Sequence, residues 1–215
     1  MKTPGADGRR VESPVKPYSE ACERNRAPIL EVLRGVLTDC RSVLEIGSGT
    51  GQHAVYFGAH LPELAWQTSE LAENLAGVRA WLAEAGLSNV PPPIELDVNR
   101  ADWPQRHYDA VFTSNTLHIV AWPAVERMFA GIASILPLQG VLVVYGPFKY
   151  SGAHTADSNA QFDAWLRGRD AASGIRAFES VDMLARSHGF AIERDVAMPA
   201  NNRTLVWRRL SESAV

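Results

Sequence analysis

The sequence predicts an α/β protein, doubly wound around a mainly parallel, Rossmann-like sheet. Three observations lead there. Short, continuous apolar runs such as Val43–Ile46 (VLEI) and Val141–Tyr145 (VLVVY) are what strands covered on both faces require. Strand and helix patterns alternate through the first five strands, the order that builds parallel βαβ units. The first strand also runs directly into a glycine-rich turn, Gly47-Ser48-Gly49-Thr50-Gly51, and then into a helix.

Each element has its own signal. Residues 1–17 are rich in Gly, Pro and charge without periodicity and read as a mobile tail, leaving 18–215 as a single domain. Ser19 is a capping residue for a helix reaching Leu37, with Pro28 a point where it can break in two. Strands are expected at Ser42–Ile46, Ala65–Ser69, Pro93–Leu96, Tyr108–Thr113, Val141–Tyr145, Ala191–Ala197 and Thr204–Arg208. Helices are expected at Gln52–Ala59, Leu71–Ala85, Ala124–Leu136, Asn159–Leu166 and Ser180–His188. After the fifth strand a long loop runs from Gly146 to Asn159, a length that favours a lid or binding loop.

Composition narrows the function. The chain has 215 residues, 46% hydrophobic and 21% charged, enough to bury a core. A net charge of −3 and a pI near 6.1 remove the electrostatic case for nucleic-acid binding. The 18 Arg against 3 Lys are scattered rather than clustered. No apolar stretch is long enough to cross a bilayer, and the N-terminus lacks a signal-peptide h-region, so a cytoplasmic protein is expected. Cys22 and Cys40 show no metal-ligand or redox spacing and read as buried or free thiols; no metal is expected.

The turn at Gly47–Gly51 would seat a ligand at the carboxyl end of the first strand, beside a helix N-terminus, the alternative being a tight strand-to-helix turn with no ligand. A dinucleotide fingerprint would need Gly or Ala where Gln52 stands, which weighs against an NAD-dependent oxidoreductase without removing it as an alternative. No Gly-Lys-Ser/Thr follows, so this is not a P-loop. A non-catalytic scaffold with a protein partner is the other alternative, since fold alone does not imply catalysis.

Glu45-Ile46-Gly47-Ser48-Gly49-Thr50-Gly51 resembles the first motif of the class I S-adenosylmethionine-dependent methyltransferases, E/D-x-G-x-G-x-G, at every defined position. More narrowly, SEACERNRAPIL, SNTLHIVAW, YGPFKYSG, SNAQFDAWLR, GIRAFE and PANN are similar to the methyltransferase-like 26 group, over about Lys16 to Arg209. The resemblance implies a seven-stranded sheet with the last strand antiparallel. It also implies S-adenosylmethionine as cofactor, S-adenosylhomocysteine as product and a small-molecule methyl acceptor.

It further implies roles for particular residues. Glu45, Gly47, Gly49 and Gly51 belong to the cofactor turn. Glu70, at the tip of the second strand, holds the ribose hydroxyls, or else opens the next helix as a surface residue. Asp97 and Val98 meet the adenine, although Asp97 also suits a turn or helix cap. Asn115 lines the pocket near the sulfonium, and Arg24 pairs with the methionine carboxylate or lies on a wet helix face. His118, in the LHIVAW segment, is similar to the general base of small-molecule O-methyltransferases, with a capping or core role as the alternative; Asp163 is a second candidate base. Those enzymes usually carry acidic residues after the tryptophan, where this chain has Pro123. Tyr145, Phe148, Asn159 and Phe162 are the expected acceptor contacts.

Overall fold

The computed structural model describes residues 16–100 and 102–212. The tail expected over 1–17 lies outside these except for Lys16 and Pro17. Both are bound to a helix over Leu75–Ala85: Lys16 Nζ is 3.4 Å from the centre of the Trp81 ring, and the Pro17 carbonyl accepts from Trp81 Nε1 at 2.6 Å.

In chain order the elements are α1 (Glu20–Val36), β1 (Ser42–Ile46), α2 (Gln52–His60), β2 (Ala65–Glu70), α3 (Leu75–Ala85), β3 (Ile94–Glu95), β4 (Ala110–Ser114) and α4 (Trp122–Ile135). They continue with β5 (Val141–Gly146), β6 (Phe148–Tyr150), β7 (Ala153–His154), α5 (Asp157–Arg169), β8 (Arg176–Ala177), α6 (Phe178–Ser187), β9 (Phe190–Met198) and β10 (Asn202–Arg209). The main sheet has seven strands in the order β3-β2-β1-β4-β5-β10-β9. β1 to β5 pair in parallel, and β10 inserts antiparallel between β5 and β9, as expected for the last strand.

Strand parity explains how the sheet is covered. Leu44, Ile46, Val111, Leu142 and Val144 face α4, meeting Met128, Phe129 and Ile132. Val43, Phe112, Val141, Val143 and Tyr145 face the opposite layer, against Ile29, Leu30 and Leu33 of α1 and Phe57 of α2. Burial of each such side chain contributes about 1.5–3 kcal/mol. Phe57, Trp66 and Phe112 form a ring cluster with centroids 5.2 to 5.7 Å apart.

Two local expectations are corrected. Pro28 does not divide α1, which runs unbroken from its Ser19 cap. Proline removes one N–H bond from the helix ladder, but Ile29, Leu30 and Leu33 immediately after it are fully buried and hold the helix on the sheet. The long loop after the fifth strand is partly regular. Ser151 (φ 48) and Gly152 (φ 79) form a two-residue turn joining β6 to β7, and β8 pairs with β6 to complete a small three-stranded sheet.

Candidate functional site

The carboxyl ends of β1, β2, β3 and β4 open on a cavity of about 570 Å³. Its floor is the glycine turn. A Cβ on Gly47 would lie 2.9 Å from Thr116 Oγ1, so only glycine lets the turn pass the β4 loop. Gly49 is different: with φ +56, a Cβ there would meet nothing within 4 Å, because the position faces the cavity. Gly51 caps α2 and packs against Val78 of α3. Ser48 ties the turn to β2, its N–H donating to the Ser69 carbonyl at 3.0 Å and its hydroxyl accepting from the Ser69 N–H at 3.2 Å.

Glu70 lies at the tip of β2 and lines the cavity. Its carboxylate accepts from the Gly49 N–H at 3.0 Å, the Leu71 N–H at 3.1 Å and Asn74 Nδ2 at 2.8 Å. A carboxylate offers about four acceptor positions, so capacity for a hydroxyl donor remains. Asp97 and Val98 line the same cavity after β3, with Asp97 Oδ1 also holding an Asx turn through the Asn99 N–H at 2.9 Å. Asn115, in the left-handed region (φ 58), continues the β4 edge by donating its N–H to the Tyr145 carbonyl at 2.8 Å.

A second cavity of about 780 Å³ adjoins the first, and Asn115 and Ile119 line both. His118, Asn159 and Phe162 are among its walls, with Ala200 and Asn202 of the PANN segment. His118 is 5% exposed, and the Phe162 ring stands edge-on to it at 5.3 Å, itself stacked on Trp165. Burial, helped by the nearby Arg176 guanidinium, lowers the His118 pKa to about 4, so the imidazole is neutral near pH 7. Among the described residues no side chain or backbone group hydrogen-bonds to its ring.

Other expected site residues are placed elsewhere. Arg24 is 71% exposed along its side chain and pairs with Glu20 at 3.2 Å. It follows Cys22, which does line the first cavity, by two residues; at roughly 100° per residue that turns it to the far side of α1. Glu45 is buried on the α2 face of β1, accepting from Trp66 Nε1 at 3.0 Å, and does not line the cavity. Burial pushes its pKa up to about 7. Tyr145 follows strand parity into the α1 layer, and Phe148 packs into the α4 core. Lys149, in the strand after Tyr145, turns to Asp163, its Nζ 3.4 Å from Oδ2.

Asp163, expected as a second candidate base, lines neither cavity and has its carboxylate engaged by other groups. Its Oδ1 accepts from the Ile175 N–H at 2.6 Å and its Oδ2 from His154 at 3.0 Å, with Lys149 at 3.4 Å and Arg167 at 3.3 Å. Burial raises its pKa, but the Ile175 N–H and the surrounding cations outweigh this and hold the carboxyl below its usual range.

Residues not anticipated from the sequence complete the first cavity. Gln52, which stands where a dinucleotide fingerprint would have glycine, docks α1 instead. Its Oε1 accepts from the Ser19 N–H at 2.5 Å, and its Nε2 donates to Glu23 at 2.9 Å. That brings Ser19 and Cys22 to the rim, beside His53. His53 is buried, bonds Asn25 Oδ1 at 2.6 Å, and has its pKa lowered to about 4 by burial and then by Arg26. The hint in the sequence was Gln52 itself, a long polar residue at the first turn of a buried helix.

The chain belongs to the family described as a protein of unknown function (DUF938), which it matches over residues 16–209. Among solved structures it is similar to an O-methyltransferase family protein from Burkholderia thailandensis, at 18% identity and a TM-score of 0.78, covering 89% of this chain and 58% of that one. It is similar to an O-methyltransferase family 2 protein from Planctomyces limnophilus in complex with apigenin, at 16% identity and a TM-score of 0.76, covering 88% and 58%. PigF with SAH gives 20% identity and a TM-score of 0.75, covering 86% and 56%. At these identities the likeness is one of fold: the class I methyltransferase, Rossmann-like arrangement. The chain spans less than two thirds of the length of each. Among the described residues no helix is long and apolar enough to cross a membrane.

Proposed function

We propose that this DUF938 member is an S-adenosylmethionine-dependent methyltransferase acting on a hydroxyl-bearing small molecule, its machinery carried by a single domain over residues 18–215. The closer kinship with the methyltransferase-like 26 group belongs to the same proposal. The observation that carries it is the pair of adjoining cavities sharing Asn115 and Ile119, one floored by the glycine turn and the other walled by a buried, neutral histidine.

In this reading the cofactor lies along the first cavity, where the open face of Gly49 admits it. Glu70 takes the ribose hydroxyls, and Asp97 with Val98 takes the adenine edge. When bound, S-adenosylmethionine supplies an electrophilic methyl on a sulfonium. The acceptor lies in the second cavity against Phe162, its hydroxyl directed to His118. The enzyme's main contribution is orientation of the reacting groups, which in favourable cases supplies about 7–11 kcal/mol of the barrier. His118 receives the proton. A base with a pKa near 4 is weak, but a hydroxyl oxygen becomes strongly acidic as it bonds to carbon, so late proton removal is within its reach.

Isothermal titration with S-adenosylmethionine, S-adenosylhomocysteine and NAD(H) tests the reading. Binding of the first two and not of NAD(H) is expected. Silence toward both, from folded protein, would overturn it.

A further inference from the structure

The loop between β4 and α4 carries His118, yet its internal bonding amounts to a single turn, with the N–H groups of Ile119 and Val120 donating to the Thr116 carbonyl at 2.9 and 3.2 Å. Its carbonyls must find partners elsewhere, since unpaired buried carbonyls are costly. Four consecutive ones are satisfied by one short segment. Arg176 Nε donates to the Leu117 carbonyl at 2.9 Å, the Gly174 N–H to the His118 carbonyl at 2.8 Å, the Ser173 hydroxyl to the Ile119 carbonyl at 2.6 Å, and Arg176 Nη2 to the Val120 carbonyl. The same Nη2 reaches back to the Ala172 carbonyl at 2.9 Å.

The segment is itself anchored. Asp163 Oδ1 accepts from the Ile175 N–H at 2.6 Å. Gly174 sits at φ +146, where a Cβ would lie 2.8 Å from Asp163 Oδ1 and 2.9 Å from Arg167 Nη2, so the approach requires glycine. Among the described residues no carboxylate forms an ion pair with Arg176. Its donors go to carbonyls instead, in the forked geometry that a guanidinium offers and an ammonium does not.

We propose that Ser173–Arg176, held by Asp163, is a clamp that positions His118 in the acceptor cavity, with Arg176 as its principal residue. This rests on the reading of His118 as the general base. Arg176 is a positioning residue, because it touches the backbone around His118. Asp163 and its cationic partners anchor the clamp. The Phe162 ring of α5 stands edge-on to the His118 ring, a Cβ on Gly146 of β5 would lie 3.7 Å from its Nδ1, Arg176 of β8 is the nearby charge, and Arg169 and Asp170 line the same cavity from the C-terminal end of α5. By holding the backbone on both sides of His118, the clamp keeps the ring in the buried setting that, with the Arg176 charge second, lowers its pKa.

The test is an NMR titration of the His118 imidazole in the full chain, with amide exchange at Ile119 and Val120, in the unsubstituted protein, Arg176→Lys and Ser173→Ala. Titration by each with S-adenosylhomocysteine runs alongside. Arg176→Lys keeps the charge and loses the fork. The His118 pKa is expected to rise from about 4 by a unit or more, and both amides to exchange at least about tenfold faster, with cofactor affinity within about twofold. Ser173→Ala, which loses one bond, moves the same quantities less and covers the case in which Arg176→Lys fails to fold. Unchanged titration and exchange in a folded variant would overturn the clamp, as would losses of cofactor affinity in step with them, which would mark general loosening. The imidazole titration does not depend on cofactor binding, so failure of the clamp and failure of the methyltransferase reading register separately.

Discussion

The two cavities touch at Asn115 and Ile119 but are built from different materials. The first is framed by the carboxyl ends of parallel strands and the glycine turn, with Glu70 accepting from the Gly49 and Leu71 N–H groups. The second is mostly side chains and irregular segments, assembled from α5, the β4–α4 loop and the turn before β10. A cavity at strand ends takes its frame from the sheet, whereas one between a loop and a helix depends on distant packing such as the bonds from Ser173, Gly174 and Arg176 to residues 117–120. The first kind suits an invariant cofactor. The second can be re-cut for an acceptor without disturbing the sheet.

That contrast can be broken by substitution. The largest effect is expected at Gly49→Arg, which fills the first cavity from a position where a Cβ meets no protein atom. Cofactor binding should be abolished in titration, while the left-handed φ costs only about 1–2 kcal/mol of stability. His118→Ala should lower turnover by about 10²–10⁴ with cofactor affinity nearly unchanged, measured by methyl transfer and titration on the same preparation. If His118 is the base, its pKa near 4 puts the acid limb of the methyl-transfer rate profile of the unsubstituted protein well below pH 6.5, with the rate falling as the ring protonates. Glu70→Ala should weaken the cofactor by roughly tenfold or more, the scale of hydrogen bonds to a charged group.

Smaller effects sharpen the picture. Folded Glu45 keeps its proton to about 7, against an ordinary 4.5, so folding takes up a proton between those values and stability falls as pH rises through that window. Glu45→Gln should remove that loss, making the variant the relatively more stable protein above pH 7 by up to roughly 3 kcal/mol in thermal or denaturant melts. Arg24→Ala should change cofactor affinity less than about twofold and stability by less than ~1 kcal/mol, as for an exposed ion pair.

Sequence legibility follows the same division. The strand-turn-helix at Gly47, the strand tip at Glu70 and the loops at Asp97 and Asn115 were readable because spacing along a parallel sheet determines which residues reach its carboxyl edge. His118, Asn159 and Phe162 reached the second cavity from loop and helix positions marked by their motifs. Tyr145 did not, and the reason lies in strand period: it shares a face with Val141 and Val143, which point to α1. The partners that engage Asp163, the side chains of Lys149, His154 and Arg167 and the Ile175 N–H, converge only after folding, so its sequence context did not show them. Arg24 and Cys22 exchanged places as cavity residues because the side of α1 that docks was chosen by Gln52.

The most direct test of the central claim, one cofactor cavity and a separate acceptor cavity, is amide chemical-shift mapping of the full chain with S-adenosylhomocysteine. Shifts are expected at Gly47–Gly51, Leu71, Val98 and Asn115, with little change at Trp165, Leu166 and Ser173. Shifts concentrated in the second set, or a saturable response that leaves Gly49 unmoved, would contradict it.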